Sequence, residues 1–173
     1  MGHSTQNLAT QLVTLTPTTS DDKAFLSRLI TDDRVRAYLG GAIAKADIAR
    51  ALTGYMHPDV DAHIWTIRET RTKAPVGVIS LTQHKDGADQ ELSYQLMPEA
   101  WQQGFATAAG TAVLAFAKET CGLPRVIAET QMANTRSIAL LHRLRFTQIK
   151  TIERFGHPQG IFSTEFPALK PAP

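Results

Sequence analysis

From Gln11 to Thr16 (QLVTLT) polar and apolar residues alternate, the two-residue period of a half-buried strand, which Pro17 stops. Beyond Pro17 the period lengthens. Ser20, Asp21 and Asp22 suit a helix start, because a hydroxyl caps free amides and carboxylates favour the positive helix end. Phe25, Leu26, Leu29 and Ile30 then form one apolar helical face, and the helical region continues in a second piece to Tyr38, where Gly40-Gly41 breaks it. A further helix is predicted from about Lys45, with Ile48, Leu52, Tyr55 and Met56 on one side.

Short-period segments return at His63 to Glu69 (HIWTIRE) and Val76 to Leu81 (VGVISL), joined by a turn around Lys73-Ala74. A polar Lys85-Asp86-Gly87 turn leads to a fourth strand, Glu91 to Leu96 (ELSYQL). After Gly104, Phe105, Ala109, Ala112, Val113, Phe116 and Ala117 share a helical stripe that ends near Cys121-Gly122, with Pro124 just beyond. Arg125 to Gln131 is a fifth strand and Thr135 to Leu144 a helix. Phe146 to Ile152 and Ile161 to Phe166 are the last strands, with Gly156-His157-Pro158 in the connection. This order gives a mixed α/β (α+β) fold around a seven-stranded, largely antiparallel sheet. The fourth and fifth strands are linked by a helix and so run parallel. The domain is expected over residues 11–166, between a flexible N-terminus (1–10) and a flexible, proline-rich tail (167–173).

Composition narrows the classes. With 173 residues, 43% hydrophobic and 20% charged, the chain suits one globular domain rather than a disordered segment. A formal charge of +2, with Lys and Arg spread along the chain, lacks the basic patch of a nucleic-acid binder. The single cysteine, Cys121, excludes an intrachain disulfide and favours a reducing compartment. No apolar run is long enough for a membrane span or a secretion signal, so the expected location is the cytoplasm. The six histidines show no ligand spacing, and no metal is expected. Cys121, at a helix end and away from any histidine in the sequence, is not expected to carry an acyl group.

The chemistry gathers in Met97 to Gly110 (MPEAWQQGFATAAG), between a strand and a helix. Gly104 has no side chain, so nearby amides can approach a bulky anion, and the helix that follows offers unpaired N–H groups and a favourable dipole. Ala106 and Thr107 are small enough to leave those amides accessible. An ordinary strand-to-helix turn has the same look, so the glycine alone decides nothing.

The wider segment ELSYQLMPEAWQQGFATAAGTAVLAFA resembles the acyl-CoA signature of the GNAT superfamily of N-acetyltransferases. It is most similar to the branch of the ribosomal-protein N-terminal acetyltransferases (RimJ/RimL type). Glu91, Tyr94, Pro98, Trp101, Gly104, Ala106 and Thr107 fall in register with that branch's strand and turn. Downstream, Asn134, Ser137 and Phe146 match its Asn-x-x-Ser helix and the phenylalanine that follows. Three positions depart from the pattern. Ser93 stands for glycine, Ala108 for a common glutamate, and Arg145 for the glycine before the phenylalanine.

The resemblance implies acetyl-CoA as co-substrate, with pantetheine in a gap between splayed fourth and fifth strands. Backbone groups of Leu96 and Met97 would bond to it, and amides of Gln102, Gln103, Gly104, Phe105, Ala106 and Thr107 would hold the pyrophosphate. Asn134 would anchor the pantetheine arm or cap its helix. The acceptor would be a primary amine, a protein N-terminus or a small molecule, and homodimerisation is left open. Because such amines have free pKa values of about 8 to 10.4, a base is useful. Glu91 is the candidate, directly or through water, and strand parity puts it on one face with Ser93 and Gln95. Ser137 is the candidate acid for the leaving thiolate, or else a hydroxyl capping its own helix; Tyr94 is a weaker alternative. A backbone N–H near Met97 would stabilise a developing oxyanion. Tyr38, Tyr55, His57 and His157 are acceptor-side candidates in the segments 38–41, 55–61 and 153–160. A non-catalytic acyl-CoA-binding module is the competing reading, since it needs Gly104 and Asn134 but neither Glu91 nor Ser137.

Overall fold

The computed structural model describes residues 4–167, so His3 and all of the expected tail but Pro167 lie outside the described residues. Within them the sheet has eight strands: β1 (Leu8–Ala9), β2 (Val13–Pro17), β3 (His63–Glu69), β4 (Pro75–Gln83), β5 (Gln90–Leu96), β6 (Arg125–Gln131), β7 (Thr147–Arg154) and β8 (His157–Glu165). They lie in the order β1-β2-β3-β4-β5-β6-β8-β7. Every neighbouring pair is antiparallel except β5 and β6.

Seven strands were expected. The eighth is β1, whose Leu8 and Ala9 pair with Leu15 and Thr14 across a turn closed by the Thr10 hydroxyl. Two residues carry no readable period, and the side-chain bond that bends Thr10 back to Val13 is what makes the pair. The connection between the last strands also differs from expectation. Phe155 and Gly156 both have positive φ (55° and 73°), giving a two-residue turn whose twist matches the flanking strands. His157 and Pro158 are therefore already in β8, opposite Arg154 and Glu153.

Helices α1 (Lys23–Thr31), α2 (Asp33–Arg36) and α3 (Ile48–Met56) cover one face of the sheet, where Phe25, Leu26, Leu29, Ile30 and Leu52 meet Val78 and Met97. Helices α4 (Phe105–Glu119) and α5 (Thr135–Arg143) cover the other, packing Phe105, Ala109, Val113, Phe116, Leu140 and Leu141 on Trp65, Leu81, Leu92 and Phe162. The apolar stripes read from the sequence are these two buried faces. Asp22 is buried at the start of α1, where it closes a capping box with Thr19 and meets Arg68 of β3. Among the described residues no helix is long and apolar enough to cross a membrane.

The end of α5 carries a strained residue. The Phe146 N–H donates to the Leu141 carbonyl at 2.9 Å and the Arg145 N–H to that of His142 at 3.1 Å, a double closure that forces Arg145 to φ 67°. Glycine has no Cβ penalty there, so Arg145→Gly is expected to raise stability by about 0.5 to 1 kcal/mol. A higher urea midpoint at unchanged slope checks it.

Candidate active site

Strands β5 and β6 touch in register at only one pair, Glu91 opposite Ile127. Beyond that apex they part toward Leu96 and Gln131. The Met97 N–H donates to the Val76 carbonyl on β4 at 2.9 Å. Backbone groups alternate in direction along a strand, so those of Tyr94 and Leu96 turn toward the opening while Met97 turns away. The Met97 N–H itself is thus engaged by β4, and the neighbouring amide that turns to the opening is that of Leu96. The Leu96 carbonyl accepts the Trp101 indole N–H at 2.9 Å, which folds the turn after β5 back onto the rim.

That turn has the form an anion cradle needs. Gly104 is left-handed (φ 80°) and begins α4, and Gln102 is also at positive φ (61°). Neither a capping side chain nor an acidic residue occupies the first turn, so the N–H groups of Phe105, Ala106 and Thr107 face outward at the helix tip. The Gln103 side chain is turned back onto the Glu99 carbonyl at 2.6 Å, so only its backbone serves the cradle. Across the opening the Arg136 guanidinium lies 4.3 Å from the Trp101 ring centroid. Arg136 was not singled out from the sequence; its place in the first turn of α5, beside Asn134, was the available signal.

At the start of α5, Asn134 accepts the Ser137 N–H through Oδ1 at 3.2 Å, a helix cap that does not use its Nδ2. Ser137 does not cap with its hydroxyl. Its Oγ lies 2.8 Å from the Tyr94 hydroxyl. Residues 43 apart in sequence are thus paired, and Tyr94, packed among the core residues, is a closer partner of Ser137 than parity alone suggested. Burial pushes the Tyr94 phenol up to about 12, so it keeps its proton at neutral pH.

Glu91 points to the opposite face, with Ser93 and Gln95 as expected. Burial, the larger effect, and the neighbouring Glu129 raise its proton affinity; His84 opposes them, as do a Glu129 backbone N–H and the Ser93 hydroxyl. His84 lies 4.0 Å from Glu91 and 2.8 Å from Glu129, and Arg154 Nε lies 2.9 Å from the other Glu129 oxygen. Neither His84 nor Glu129 was picked out from the sequence. The signal for Glu129 lies in its parity: it is two residues past Ile127, on the face that Glu91 shares once the register is known. His84, Asp86 and Glu129 hold ligand-type atoms within 4.8 Å of one another. Arg154 already pairs with both carboxylates, so a guanidinium holds the cationic position of this cluster.

On the same face Tyr55 accepts the Gln95 side-chain N–H at 2.8 Å, and the Tyr38 carbonyl accepts that of Gln131 at 3.1 Å. The α1–α3 segment is thereby drawn against β5 and β6. His57 is exposed and His157 lies in the β7–β8 hairpin. Contrary to expectation Cys121 does have a histidine neighbour, since its Sγ is 4.0 Å from His63 Nε2. Burial pushes that thiol up, and α4, about 22 Å long for its 15 residues, separates it from the Gly104 tip.

Known structures share this architecture. An acetyltransferase (GNAT family) from Bacillus anthracis superposes with a TM-score of 0.80 at 16% identity, over 92% of this chain and 98% of that one. Spermidine N-acetyltransferase from Vibrio cholerae, solved with CoA and spermine, gives 0.78 at 15%, over 90% and 96%. RimL, a ribosomal L7/L12 alpha-N-protein acetyltransferase, gives 0.79 at 14%, over 95% and 96%. No curated protein sequence matches the chain. The model of the family described as "Acetyltransferase (GNAT) domain" matches residues 13–147, a span from β2 through the Gly104 turn to the end of α5, and the chain belongs to that family of N-acetyltransferases.

Proposed function

We propose that this acetyltransferase uses acetyl-CoA to acetylate a primary amine, a protein N-terminus or a small molecule, by direct transfer in a ternary complex. The observation that carries the reading is the single pairing of β5 with β6 beside an uncapped, glycine-opened helix tip. An opening edged by free strand groups fits the amide-bearing pantetheine arm, and a helix tip without acidic side chains fits a pyrophosphate. Leu96 supplies the strand edge, and the amides of Gln102, Gln103, Gly104, Phe105, Ala106 and Thr107 supply the cradle. Asn134 Nδ2, which the cap does not use, is the group assigned to the arm, while Met97, its N–H and carbonyl both engaged, contributes packing only. Bound acetyl-CoA supplies an acetyl thioester, from which an amine yields an amide and free thiol.

Two faces of the sheet divide the proton work. Glu91, on the α1–α3 face, takes the proton of the attacking amine. Its raised proton affinity suits a base that must accept a proton near neutral pH. Tyr94, on the α5 face, gives its proton to the departing sulfur and is recharged through the Ser137 hydroxyl. Tyr55 and Gln95 flank the amine's approach. The acceptors named for the Vibrio cholerae enzyme and for RimL, a polyamine and a protein N-terminus, are the two classes to try first.

Thiol release from acetyl-CoA across a panel of amino acids, polyamines and N-terminal peptides tests the whole reading. At least one acceptor should exceed hydrolysis; saturable cofactor binding without turnover on any of them would favour a binding module. With an accepted amine, Glu91→Gln should lower kcat about 100-fold and remove the acid limb of the pH profile, leaving the Kd for CoA unchanged. The limb itself should lie above the ordinary carboxylate range, because turnover needs Glu91 ionised and burial makes it hold its proton. Tyr94→Phe should slow single-turnover transfer by about 100-fold. Ser137→Ala should slow it less, since the phenol remains. Equal rates for all three proteins would leave the Tyr94–Ser137 pair a structural contact only.

A further inference from the structure

At the apex where β5 meets β6, two carboxylates come close to one imidazole. His84, just past the end of β4, is 5% exposed. The Asp86 backbone N–H donates to its Nδ1 at 3.2 Å, so Nδ1 holds a lone pair and the ring proton resides on Nε2. That Nε2–H is 2.8 Å from Glu129 Oε2 and 4.0 Å from Glu91 Oε2. On its other oxygen Glu129 meets Arg154, which also grips Asp86, and the turn that begins at His84 is thereby closed onto β6 and β7. The charged groups around the pair are Lys85, Asp86 and Asp89 from the β4–β5 turn, Arg125 and Glu129 from β6, and Arg154 from β7. Asp89 is neutralised by Arg125 at 2.7 Å, and Lys85 sits over the Phe155 ring.

The two carboxylates are therefore unequal. Glu129 meets the imidazole on one oxygen and forms an ion pair with the Arg154 guanidinium on the other. Glu91 receives the Glu129 backbone N–H and, at 3.4 Å, the Ser93 hydroxyl, and lies 4.0 Å from His84 Nε2. The like charge of Glu129 beside Glu91 makes Glu91 hold a proton more tightly. The His84 N–H, between them, is the element that limits this effect.

We propose that His84 is a positioning residue for the transfer reaction: its Nε2–H, held between Glu129 and Glu91, keeps the Glu91 carboxylate ionised and in place without touching substrate. This rests on the reading of Glu91 as the base. Asparagine matches the Nδ1 end of histidine and glutamine the Nε2 end, so the two substitutions separate the functions of the ring. His84→Asn keeps an acceptor for the Asp86 N–H but loses the donor to the carboxylates; His84→Gln keeps the donor.

Titration of the Glu91 carboxyl by carbon-13 NMR in the free protein is the primary measurement, because it needs no turnover. His84→Asn should move the titration to higher pH, and His84→Gln should bring it back. On the acid limb, kcat/KM for His84→Asn should fall about threefold or more, the loss that half a unit in a carboxyl's titration produces. The Kd for CoA should be unchanged in both. An unmoved Glu91 titration in His84→Asn, or an equal movement in His84→Gln, overturns the inference. Should His84→Asn not fold, nitrogen-15 shifts of the unaltered ring decide instead. Nε2 must be protonated, Nδ1 bare, and the Nε2 signal must respond as Glu91 titrates; a silent Nε2 overturns the proposal. If Glu91→Gln leaves the acid limb intact, the base reading fails, and the carboxyl titration still decides what His84 does.

Discussion

The lone register pair between β5 and β6 is the constraint on which the rest of the structure turns. Interior strands of a sheet normally satisfy one another's N–H and C=O groups along their whole length, because unpaired backbone groups away from water are costly. Here the ladder stops after Glu91 and Ile127, and the molecule meets the cost locally. Trp101 answers the Leu96 carbonyl. Arg136 then lies on the Trp101 ring, so the turn after β5 and the start of α5 are tied across the opening. The wedge is a held shape rather than an unfinished sheet, and it leaves a strand edge and a helix tip facing the same space.

A wedge that passes through a sheet joins two faces that are otherwise sealed from one another. Parity puts Glu91, Ser93 and Gln95 on the side of α1–α3, and Leu92 and Leu96 in the core under α4. Tyr94 shares the latter side but ends in a hydroxyl that meets Ser137. Odd and even positions of one strand thus put a carboxylate on one side and a phenol on the other, with a gap beside the strand. Burial raises the proton affinity of both, which keeps the phenol protonated, makes it a weaker donor than a free phenol, and makes the carboxylate a stronger base than an exposed one.

Much of this was legible in the sequence because it is local. The two helical stripes, the strand periods and the Gly104 turn each depend on residues within a few positions of one another. Arg145 was flagged as a misfit at a left-handed position and has φ 67°. The pairs that could not be read are the long-range ones. Tyr94 and Ser137 are 43 positions apart, His84 and Glu129 45, and Cys121 and His63 58. No period connects such residues; only the strand register does, and a change of one residue in that register would turn Glu129 to the other face. The short β1 and the turn at Phe155-Gly156 escaped for a different reason. Both depend on one or two backbone torsions, and Phe155 at positive φ runs against its own preference.

The same register argument separates Glu91, the proposed base, from Glu129. Both lie on one face at the apex, and composition does not distinguish them. Their neighbours do. Glu129 stands opposite Ile161 of β8, within reach of Arg154 from the next strand, β7, and His84 comes down from the end of β4 to share it. Those partners engage both oxygens of Glu129. Glu91 lies on the strand whose far end borders the opening, with a Glu129 backbone N–H, a weakly placed hydroxyl and, among the described residues, no guanidinium or ammonium within ion-pair distance. A carboxylate fully satisfied by donors gains little from a further proton, whereas one that is buried, crowded by a like charge and sparsely bonded gains much. The asymmetry of partners, rather than the identity of the residues, is what favours Glu91 over Glu129 as the proposed base.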